Sequence, residues 1–168
     1  EALTGIKRKL FFWSIALGEQ YDVHGKSPWY KLQLTLAKKL VFSKWREALG
    51  GEVLCVASGS AALQPRLARI YNAAGVPVYI VTNQSGIARG LITEAQYEAT
   101  RLRTEALLAA GGAPVAGTYH CPHWPDVTGP CDCRKPGIGL YRQAASANAL
   151  DLTASAYIGD RWRDVAPA

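Results

Sequence analysis

The hydrophobic pattern at the start of the chain predicts two amphipathic helices. Apolar residues recur at intervals of three or four positions, which places them on one side of a helix. The first predicted helix covers residues 2–19, with its apolar side formed by Ile6, Leu10, Trp13 and Leu17. A second is predicted after Pro28 and should end at Gly50-Gly51; its apolar side would consist of Trp29, Leu32, Leu36, Leu40 and Trp45.

After residue 51 the pattern changes to short apolar runs that alternate with helical segments. A strand, a helix and a strand are predicted at 52–58, 62–75 and 76–83, the spacing of a right-handed βαβ unit with parallel strands. A long helix should follow at 93–112, with Thr93 as its N-cap and Gly111 as its stop. The remaining predicted elements are a strand at 113–121, a helix at 139–150, a strand at 155–160 and the start of a helix at 161.

These elements define an α/β fold: a small parallel, Rossmann-like sheet with flanking helices and a metal-bound loop, preceded by two helices. The predicted division is a helical prefix at 1–50 and an α/β domain at 51–168. A chain of 168 residues suits one domain or one domain with an appendage.

Composition indicates the class of protein and its cellular compartment. No apolar run is long enough to span a bilayer, and no segment resembles a signal peptide. Four cysteines do not suggest a disulfide scaffold, so a reducing cytoplasm is expected. There is no methionine, from which we expect a fragment or a processed chain.

Residues 1–50 hold nine Lys/Arg and four Asp/Glu. Because these cations are scattered along helical patterns, a solvated helix face is favoured over a nucleic-acid or lipid surface.

A cluster of soft metal ligands lies between residues 120 and 136. Cys121, His123, Cys131 and Cys133 offer three thiolates and an imidazole, a complete tetrahedral set for zinc. Since protein would fill all four positions, the site would be structural and would not activate water. Its prolines and glycines favour a loop that buries little, so a metal would offset the entropy of ordering it.

The alternatives to zinc are ordinary thiols or a redox-active disulfide. Cys131 and Cys133 are too close in sequence for an easy unstrained bridge. The neighbouring His120 should point the other way along an extended chain and is predicted to be a bystander.

Three polar motifs follow predicted strands, where parallel sheets hold their ligands. Thr82, Asn83, Gln84 and Ser85 end one strand and offer a hydroxyl, amides and backbone N–H groups to a phosphoryl oxygen. Arg134 and Lys135 follow the last metal ligand and would bind phosphate or sugar oxygens. Asp160 ends a further strand, with Asp164 four residues on, and could bind magnesium. The alternatives are a turn cap, a solvated basic pair and a helix N-cap, respectively.

Together, "VTNQSGIARG", "YHCPHWP…CDCRKP" and "YIGDRWRDV" resemble zinc-containing sugar-phosphate phosphatases of the haloacid dehalogenase (HAD) superfamily. The similar members are D,D-heptose 1,7-bisphosphate and histidinol phosphatases, and the resemblance runs from about residue 72 to 168. It implies that Thr82 and Lys135 act on the phosphoryl group and that 82–85 and Arg134 bind substrate. It also implies magnesium at Asp160 and structural zinc at the Cys/His cluster. The expected partner is a small phosphorylated sugar, without nucleic acid, on a monomeric chain.

One motif of that family is missing. Its members use an Asp-x-Asp pair at the end of the first strand, in which one Asp becomes phosphorylated and the other protonates the leaving group. Asp22, in "QYDVHGK", is the only Asp before residue 126 and has no partner. Very low or absent turnover is therefore expected.

Residues 1–75 resemble a different family. "LVFSKWREALGG" and "SGSAALQPRLAR" are similar to an internal stretch of AMP-forming long-chain fatty acyl-CoA synthetases, in which the turn at 58–63 lies near the nucleotide site. The phosphate loop of that family is absent. The change of resemblance near 72–78 predicts a chimera joined within a shared βαβ element. Three functions stay open: a HAD-type phosphatase domain, a fragment of a fatty acid–CoA ligase, and an inactive zinc-stabilised phosphate-binding module.

Overall fold

The protein is a four-stranded parallel α/β fold with a layer of helices from the N-terminal part of the chain. The computed structural model describes residues 5–22, 25–48, 56–58 and 64–165. Predicted features at 1–4, 49–55 and 59–63, which include Cys55, Gly50-Gly51 and most of the turn at 58–63, lie outside the described residues. The predicted fold class is confirmed.

The N-terminal helical layer consists of four consecutive helical segments. Helix α1 spans Gly5–Glu19 and α2 spans Pro28–Ala37; the latter continues as a π-helical segment, Lys38–Phe42, and as α3, Ser43–Ala48. Ser27 caps α2, since its hydroxyl oxygen accepts a hydrogen bond from the N–H of Tyr30 at 3.3 Å, and Pro28 occupies the first turn. The second predicted helix therefore exists but contains a π-helical interruption.

The predicted apolar side of this second helix is largely wrong. Trp29, Leu32, Leu36 and Leu40 are exposed, and of the five only Trp45 packs inward, against the rings of Phe11 and Phe42. The buried side chains are instead Tyr30, Ala37, Val41 and Phe42. Tyr30 and Ala37 lie in α2, ahead of the π-helical segment, so the prediction already fails within a regular helix. Periodicity shows which apolar positions share a face but not which face another element covers. In α1, Leu17 is buried as predicted, whereas Ile6 is exposed.

The sheet is wholly parallel, with strand order β3-β2-β1-β4. Strand β1 spans Val56–Ser58, β2 Val78–Asn83, β3 Gly117–Cys121 and β4 Ala156–Ile158. The chain runs outward from β1 to β3 and then returns to β4 on the other side of β1. This reversal is a topological switch point, so ligands are expected beyond the carboxyl ends of these strands. We call that side the carboxyl edge of the sheet.

Helices connect the strands much as the sequence predicted. Helix α4 (Pro65–Ala73) joins β1 to β2, and α5 (Glu94–Ala110) joins β2 to β3. Thr93 and Gln96 form a reciprocal capping box at the start of α5, and Gly111 ends it, which confirms both predicted boundaries. A short α6 (Pro125–Thr128) was not predicted; α7 (Gly139–Asn148) and α8 (Trp162–Val165) follow.

The helical layer packs directly on the α/β part. Leu17, Phe42 and Val41 share one buried cluster with Ala73 and Val76. The backbone of Gly18 approaches Ile70 so closely that a Cβ at residue 18 would lie 3.3 Å from its Cα. At the rim, Arg66 Nε pairs with Glu19 Oε1 at 2.5 Å. The division at residue 50 stays a prediction, but the helices on its N-terminal side share a core with α4.

Candidate active site and metal centre

Lys135 is the buried centre of the candidate site. Its side chain is 1% exposed, and its ammonium group donates a hydrogen bond to the carbonyl oxygen of Val81 at 2.8 Å. The same Nζ lies 2.5 Å from Oδ1 of Asp164, whose side chain is equally buried. A buried lysine needs such partners, because an isolated ammonium in an apolar interior is strongly unfavourable. The three strand-end motifs thus meet at one lysine.

Asn83 ties the end of β2 to the backbone of Lys135. Its side-chain oxygen accepts a hydrogen bond from the N–H of Lys135 at 3.0 Å, and its Nδ2 donates to the Lys135 carbonyl at 3.3 Å. These two hydrogen bonds fix the backbone of Lys135, two residues after Cys133, against the end of β2. Predicted as a substrate-binding residue, Asn83 has its side-chain amide engaged within the protein.

The remaining residues of the strand-end motif form a turn beside the lysine. The hydroxyl oxygen of Thr82 accepts a hydrogen bond from Nε2 of Gln84 at 3.0 Å. The N–H of Gln84 donates to the carbonyl of Cys121 at 2.8 Å, which joins the ends of β2 and β3. The N–H of Arg89 donates a hydrogen bond to the carbonyl oxygen of Ser85 at 3.1 Å. Thr82, Gln84 and Ser85 are partly exposed, so the turn opens toward solvent.

Sequence reasoning assigned no role to Asp164, yet this residue is central to the site. Its carboxylate accepts the N–H of Arg161 at 3.3 Å in addition to pairing with Lys135, and its carbonyl accepts the hydroxyl of Tyr141 at 3.2 Å. Gly159 makes room for it, because a Cβ there would lie 2.1 Å from the Asp164 Cβ. The Gly-Asp-x-x-x-Asp spacing in 159–164 was the available signal.

Asp160 stands at the carboxyl end of β4 with an exposed side chain. Among the described residues its carboxylate forms one ion-pair contact, with Arg161, whose Nε lies 4.0 Å from Oδ2. Magnesium binds one or two carboxylates together with waters and substrate phosphates. An open carboxylate at this edge is compatible with that mode of binding.

The four predicted zinc ligands converge. The ligand atoms of Cys121, His123, Cys131 and Cys133 all lie within 4.8 Å of one another. The sulfur of Cys121 lies 3.7 Å from that of Cys131 and 2.9 Å from that of Cys133, and Nδ1 of His123 lies 3.2 Å from the Cys133 sulfur. The three cysteines are free thiols.

The donor set suits a tetrahedral zinc ion. Zn–S bonds of about 2.3 Å place two sulfurs roughly 3.8 Å apart. Cys121 and Cys131 lie 3.7 Å apart, whereas the Cys133 sulfur lies 2.9 Å and 3.4 Å from them and would move outward when an ion binds. A disulfide would need its sulfurs at about 2.05 Å, so the redox alternative is not formed among these three residues. The described residues therefore contain one donor set that could hold zinc, with no position left for a water.

Without a metal, this arrangement disfavours the thiolate form of two of the three cysteines. Burial raises the pKa of the Cys121 and Cys133 thiols. For Cys131, burial is outweighed by hydrogen bonds from Cys133 and the backbone, so its pKa is lowered. A bound cation reverses this preference, since a coordinating thiol is deprotonated outright. A metal site explains why three thiols lie so close together, because metal binding releases their protons.

Arg134 is held beside the candidate site by the metal loop. Its Nη1 donates to the carbonyl of His123 at 3.3 Å, and its guanidinium carbon lies 4.7 Å from the centre of the Trp124 ring. Arg89 approaches the same ring at 5.7 Å. A cation–π contact orients a guanidinium while leaving N–H groups for a ligand.

His120 lies outside the metal cluster. Its Nε2 is 2.8 Å from Oε1 of Glu94, and its ring lies 4.2 Å from that of Tyr97. The alternation of side chains along β3 sends it away from Cys121. This geometry agrees with the expectation that His120 is not a ligand of the metal cluster.

The family's nucleophilic aspartate has no counterpart at the end of β1. This strand lies between β2 and β4 and ends at Ser58. The sequence contains no Asp or Glu between Glu52 and Glu94. A carboxylate nucleophile is therefore absent from the whole segment that leads from β1 through β2.

Similarity to known proteins agrees with the motifs. No protein-family model matches the chain. A D-glycero-beta-D-manno-heptose-1,7-bisphosphate 7-phosphatase of Photorhabdus laumondii is 41% identical over 99 residues, 56% of this chain and 53% of the relative. A probable D-glycero-D-manno-heptose-1,7-bisphosphate 7-phosphatase of Thermoplasma acidophilum is 43% identical over 91 residues, 54% of this chain and 56% of the relative. The chain thus spans about half the length of the curated relatives it matches.

Solved structures extend the similarity beyond those stretches. The D,D-heptose 1,7-bisphosphate phosphatase of B. bronchiseptica, complexed with magnesium and phosphate, matches with a TM-score of 0.57 and 31% identity over 69% of this chain and 75% of that one. A HAD-like phosphatase of Mesorhizobium loti matches with a TM-score of 0.59 and 28% identity over 67% of this chain and 66% of that one.

The chain therefore belongs to the HAD-like phosphatase family that contains the D,D-heptose 1,7-bisphosphate phosphatases. Its similarity lies with the members that act at the 7-phosphate of a heptose bisphosphate, as the names of the curated relatives state.

Proposed function

We propose that this chain is a phosphatase-type domain that binds the phosphate group of a phosphorylated sugar at the carboxyl edge of its sheet. The observation that carries the proposal is the position of Lys135. Its ammonium is buried and donates to the carbonyl of Val81, the residue that precedes Thr82 at the end of β2. A phosphate ester of a heptose bisphosphate is the substrate class that the relatives suggest.

Positive charge supports binding of an anionic ester here. Lys135 and Arg134 are consecutive, and Arg134 is fixed by Trp124 and the His123 carbonyl. Asp164 balances the lysine in the free protein, and the Thr82 hydroxyl can donate to a phosphoryl oxygen while it accepts from Gln84. In this proposal Thr82, Gln84, Ser85 and the cationic pair contact the phosphate and sugar, and Asn83 positions the lysine.

Two metals complete the proposed site. Magnesium bound at Asp160 would neutralise phosphoryl charge, as one relative's complex with magnesium and phosphate suggests. Zinc at Cys121, His123, Cys131 and Cys133 would order the loop that carries Arg134 and Lys135. Three free thiols in one cluster favour a reducing cytoplasm.

In this proposal the chain binds a phosphate ester but hydrolyses it very slowly or not at all. Hydrolysis through a phosphoaspartate requires a carboxylate at the end of the first strand, and none stands in the segment from β1 through β2. Removal of a covalent nucleophile removes the chemical route, so phosphate release should be very low or nil. The chimeric origin of residues 1–75 stays a prediction, as does the acyl-CoA ligase alternative.

The test measures binding and release separately. Titration calorimetry with inorganic phosphate and magnesium should show binding that Lys135→Met weakens by roughly 10-fold or more. Phosphate release from D-glycero-D-manno-heptose 1,7-bisphosphate, with and without magnesium, should remain near the uncatalysed rate. The absence of phosphate binding by the zinc-loaded chain would overturn the proposal. Fatty-acid-dependent exchange of pyrophosphate into ATP would support the ligase instead.

A further inference from the structure

The helical layer exposes a row of large apolar side chains that packing leaves uncovered. Trp29, Leu32, Leu36 and Leu40 occur at helical spacing along α2 and the π-helical segment. Their exposed fractions lie between 46% and 67%, whereas Tyr30 and Ala37 of the same helix face the core. We call these four residues the apolar stripe.

Lysines lie at both ends of the apolar stripe, and at one end Lys26 shares a groove with Glu19 and Asp22. Lys7, Lys39 and Lys44 line one groove of about 560 Å³ together with Leu40 and with apolar side chains from α1, the π-helical segment and α3, namely Leu10, Phe11, Val41 and Trp45. At the other end of the stripe, Lys26 and Trp29 line a second groove. Within the part of the chain that the structure describes, none of these four lysines forms an ion pair.

The charge of the whole chain is concentrated in this layer. Residues 5–48 hold nine lysines and arginines against three acidic residues, and the whole chain has a formal net charge of +6. A partner for this surface must therefore be anionic where it meets the lysines and apolar where it meets the stripe.

An anionic lipid surface has both properties in the required arrangement. Interfacial helices place Trp and Leu at the headgroup–acyl boundary, while lysines keep their ammonium groups among the phosphates. Nucleic acid would satisfy the cations but leave four large aliphatic and aromatic side chains against water or phosphate. None of the described helices is long and apolar enough to cross a bilayer.

We propose that the helical layer binds the surface of an anionic phospholipid membrane through the apolar stripe and the lysines that border it, Lys7, Lys26, Lys39 and Lys44. The proposal is independent of the phosphate site, whose residues lie at the carboxyl edge of the sheet. The chain would then work at a membrane surface.

Vesicle binding by the full zinc-loaded chain tests the proposal. The chain should co-sediment with phosphatidylcholine vesicles that contain about 30% phosphatidylglycerol, bind pure phosphatidylcholine at least ~10-fold more weakly, and lose binding as salt rises. Lys39→Gln/Lys44→Gln should weaken binding by about 30-fold. The matched control is Arg103→Gln/Arg142→Gln, which removes the same charge elsewhere and should change binding by less than about 3-fold.

The apolar contribution is tested by a second pair of variants. Trp29→Ala/Leu32→Ala should weaken binding by at least about 10-fold, and Leu102→Ala/Leu107→Ala, which truncates two exposed leucines of α5, should not. Brominated lipids should quench tryptophan fluorescence in the wild type and less in Trp29→Phe. Equal binding to both vesicle types, equal effects of the test and control variants, or binding to DNA without binding to anionic vesicles would each overturn the proposal.

Discussion

Nζ of Lys135 lies 2.5 Å from Oδ1 of Asp164, and both side chains are 1% exposed. The pair joins the loop that follows the metal cluster to α8, beyond the end of β4. Its lysine also holds the carbonyl of Val81 in β2. One buried ion pair therefore fixes three separate segments of the carboxyl edge relative to one another.

Breaking this pair should destabilise the protein strongly. Lys135→Met leaves the Asp164 carboxylate buried without a counter-ion, at an expected loss of about 3–5 kcal/mol in the free energy of unfolding. The double variant Lys135→Met/Asp164→Asn should lose less free energy of unfolding than the two single variants lose together. The reason is that the double variant leaves no buried charge without its counter-ion. Urea unfolding of the four proteins measures the coupling.

A matched exposed pair provides the control for that cycle. Arg66 and Glu19 also pair at 2.5 Å, but the arginine side chain is 63% exposed. Arg66→Gln should lower the free energy of unfolding by less than about 1 kcal/mol. Additive losses at Lys135 and Asp164 would contradict the interaction described for the buried pair.

Gly159 is required because of its closeness to Asp164. A Cβ at residue 159 would lie 2.1 Å from the Asp164 Cβ and 2.9 Å from Oδ2, so the α8 backbone must move to accept it. Gly159→Ala should lower the free energy of unfolding by about 1–3 kcal/mol and weaken phosphate binding. At Gly86 the nearest atom to an added Cβ lies 3.6 Å away. Gly86→Ala should therefore have a much smaller effect on the urea midpoint.

The sequence predicted most of the sheet and the donor set of the metal cluster because both depend on local signals. Strand–helix alternation fixes a parallel sheet, and the C-x-H and C-x-C spacings specify ligands that a turn can bring together. The Lys135–Asp164 pair was missed because it joins residues from two elements with no spacing rule between them. The engagement of Asn83 with the Lys135 backbone has the same non-local origin.

The apolar stripe shows where a periodic pattern fails. Trp29, Leu32, Leu36 and Leu40 fit a helical face, and periodicity alone assigns such a face to the core. The structure buries the neighbouring face: the Tyr30 hydroxyl donates to the carbonyl of Leu17 at 2.7 Å, and Ala37, Val41 and Phe42 are buried. A sequence pattern identifies an amphipathic surface but not what covers it.

Zinc should be stoichiometric and stabilising. Purified wild type should contain about one zinc ion per chain by mass spectrometry, and Cys121→Ser should lose most of it, since a buried thiolate ligand is removed. Chelation should lower the free energy of unfolding of the wild type by at least about 3 kcal/mol, because zinc binds only the folded chain tightly. His120→Gln, one residue away but outside the cluster, should retain the metal. Zinc loss in both variants would contradict the assignment of His120.

Tyr97 should make stability depend on pH in the alkaline range. Burial raises the pKa of its phenol to about 12, an effect opposed by the nearby Arg101 and reinforced by Glu98, Glu94 and Glu105. An unfolded tyrosine titrates near about 10, so the unfolded chain loses this proton first. The stabilisation from Tyr97 is complete below about pH 10 and is lost as the pH rises toward about 12.

Spectrophotometric titration of the tyrosinate band can isolate this group. The difference between wild type and Tyr97→Phe should have a midpoint near about 12 in the folded proteins and near about 10 after unfolding in guanidinium. Urea unfolding should show the free energy of the wild type falling more steeply than that of Tyr97→Phe between these two pH values, because only the wild-type unfolded state gains from ionising residue 97. A folded-state midpoint near about 10 would mean that the phenol is hydrated and that α5 does not seal it against the sheet.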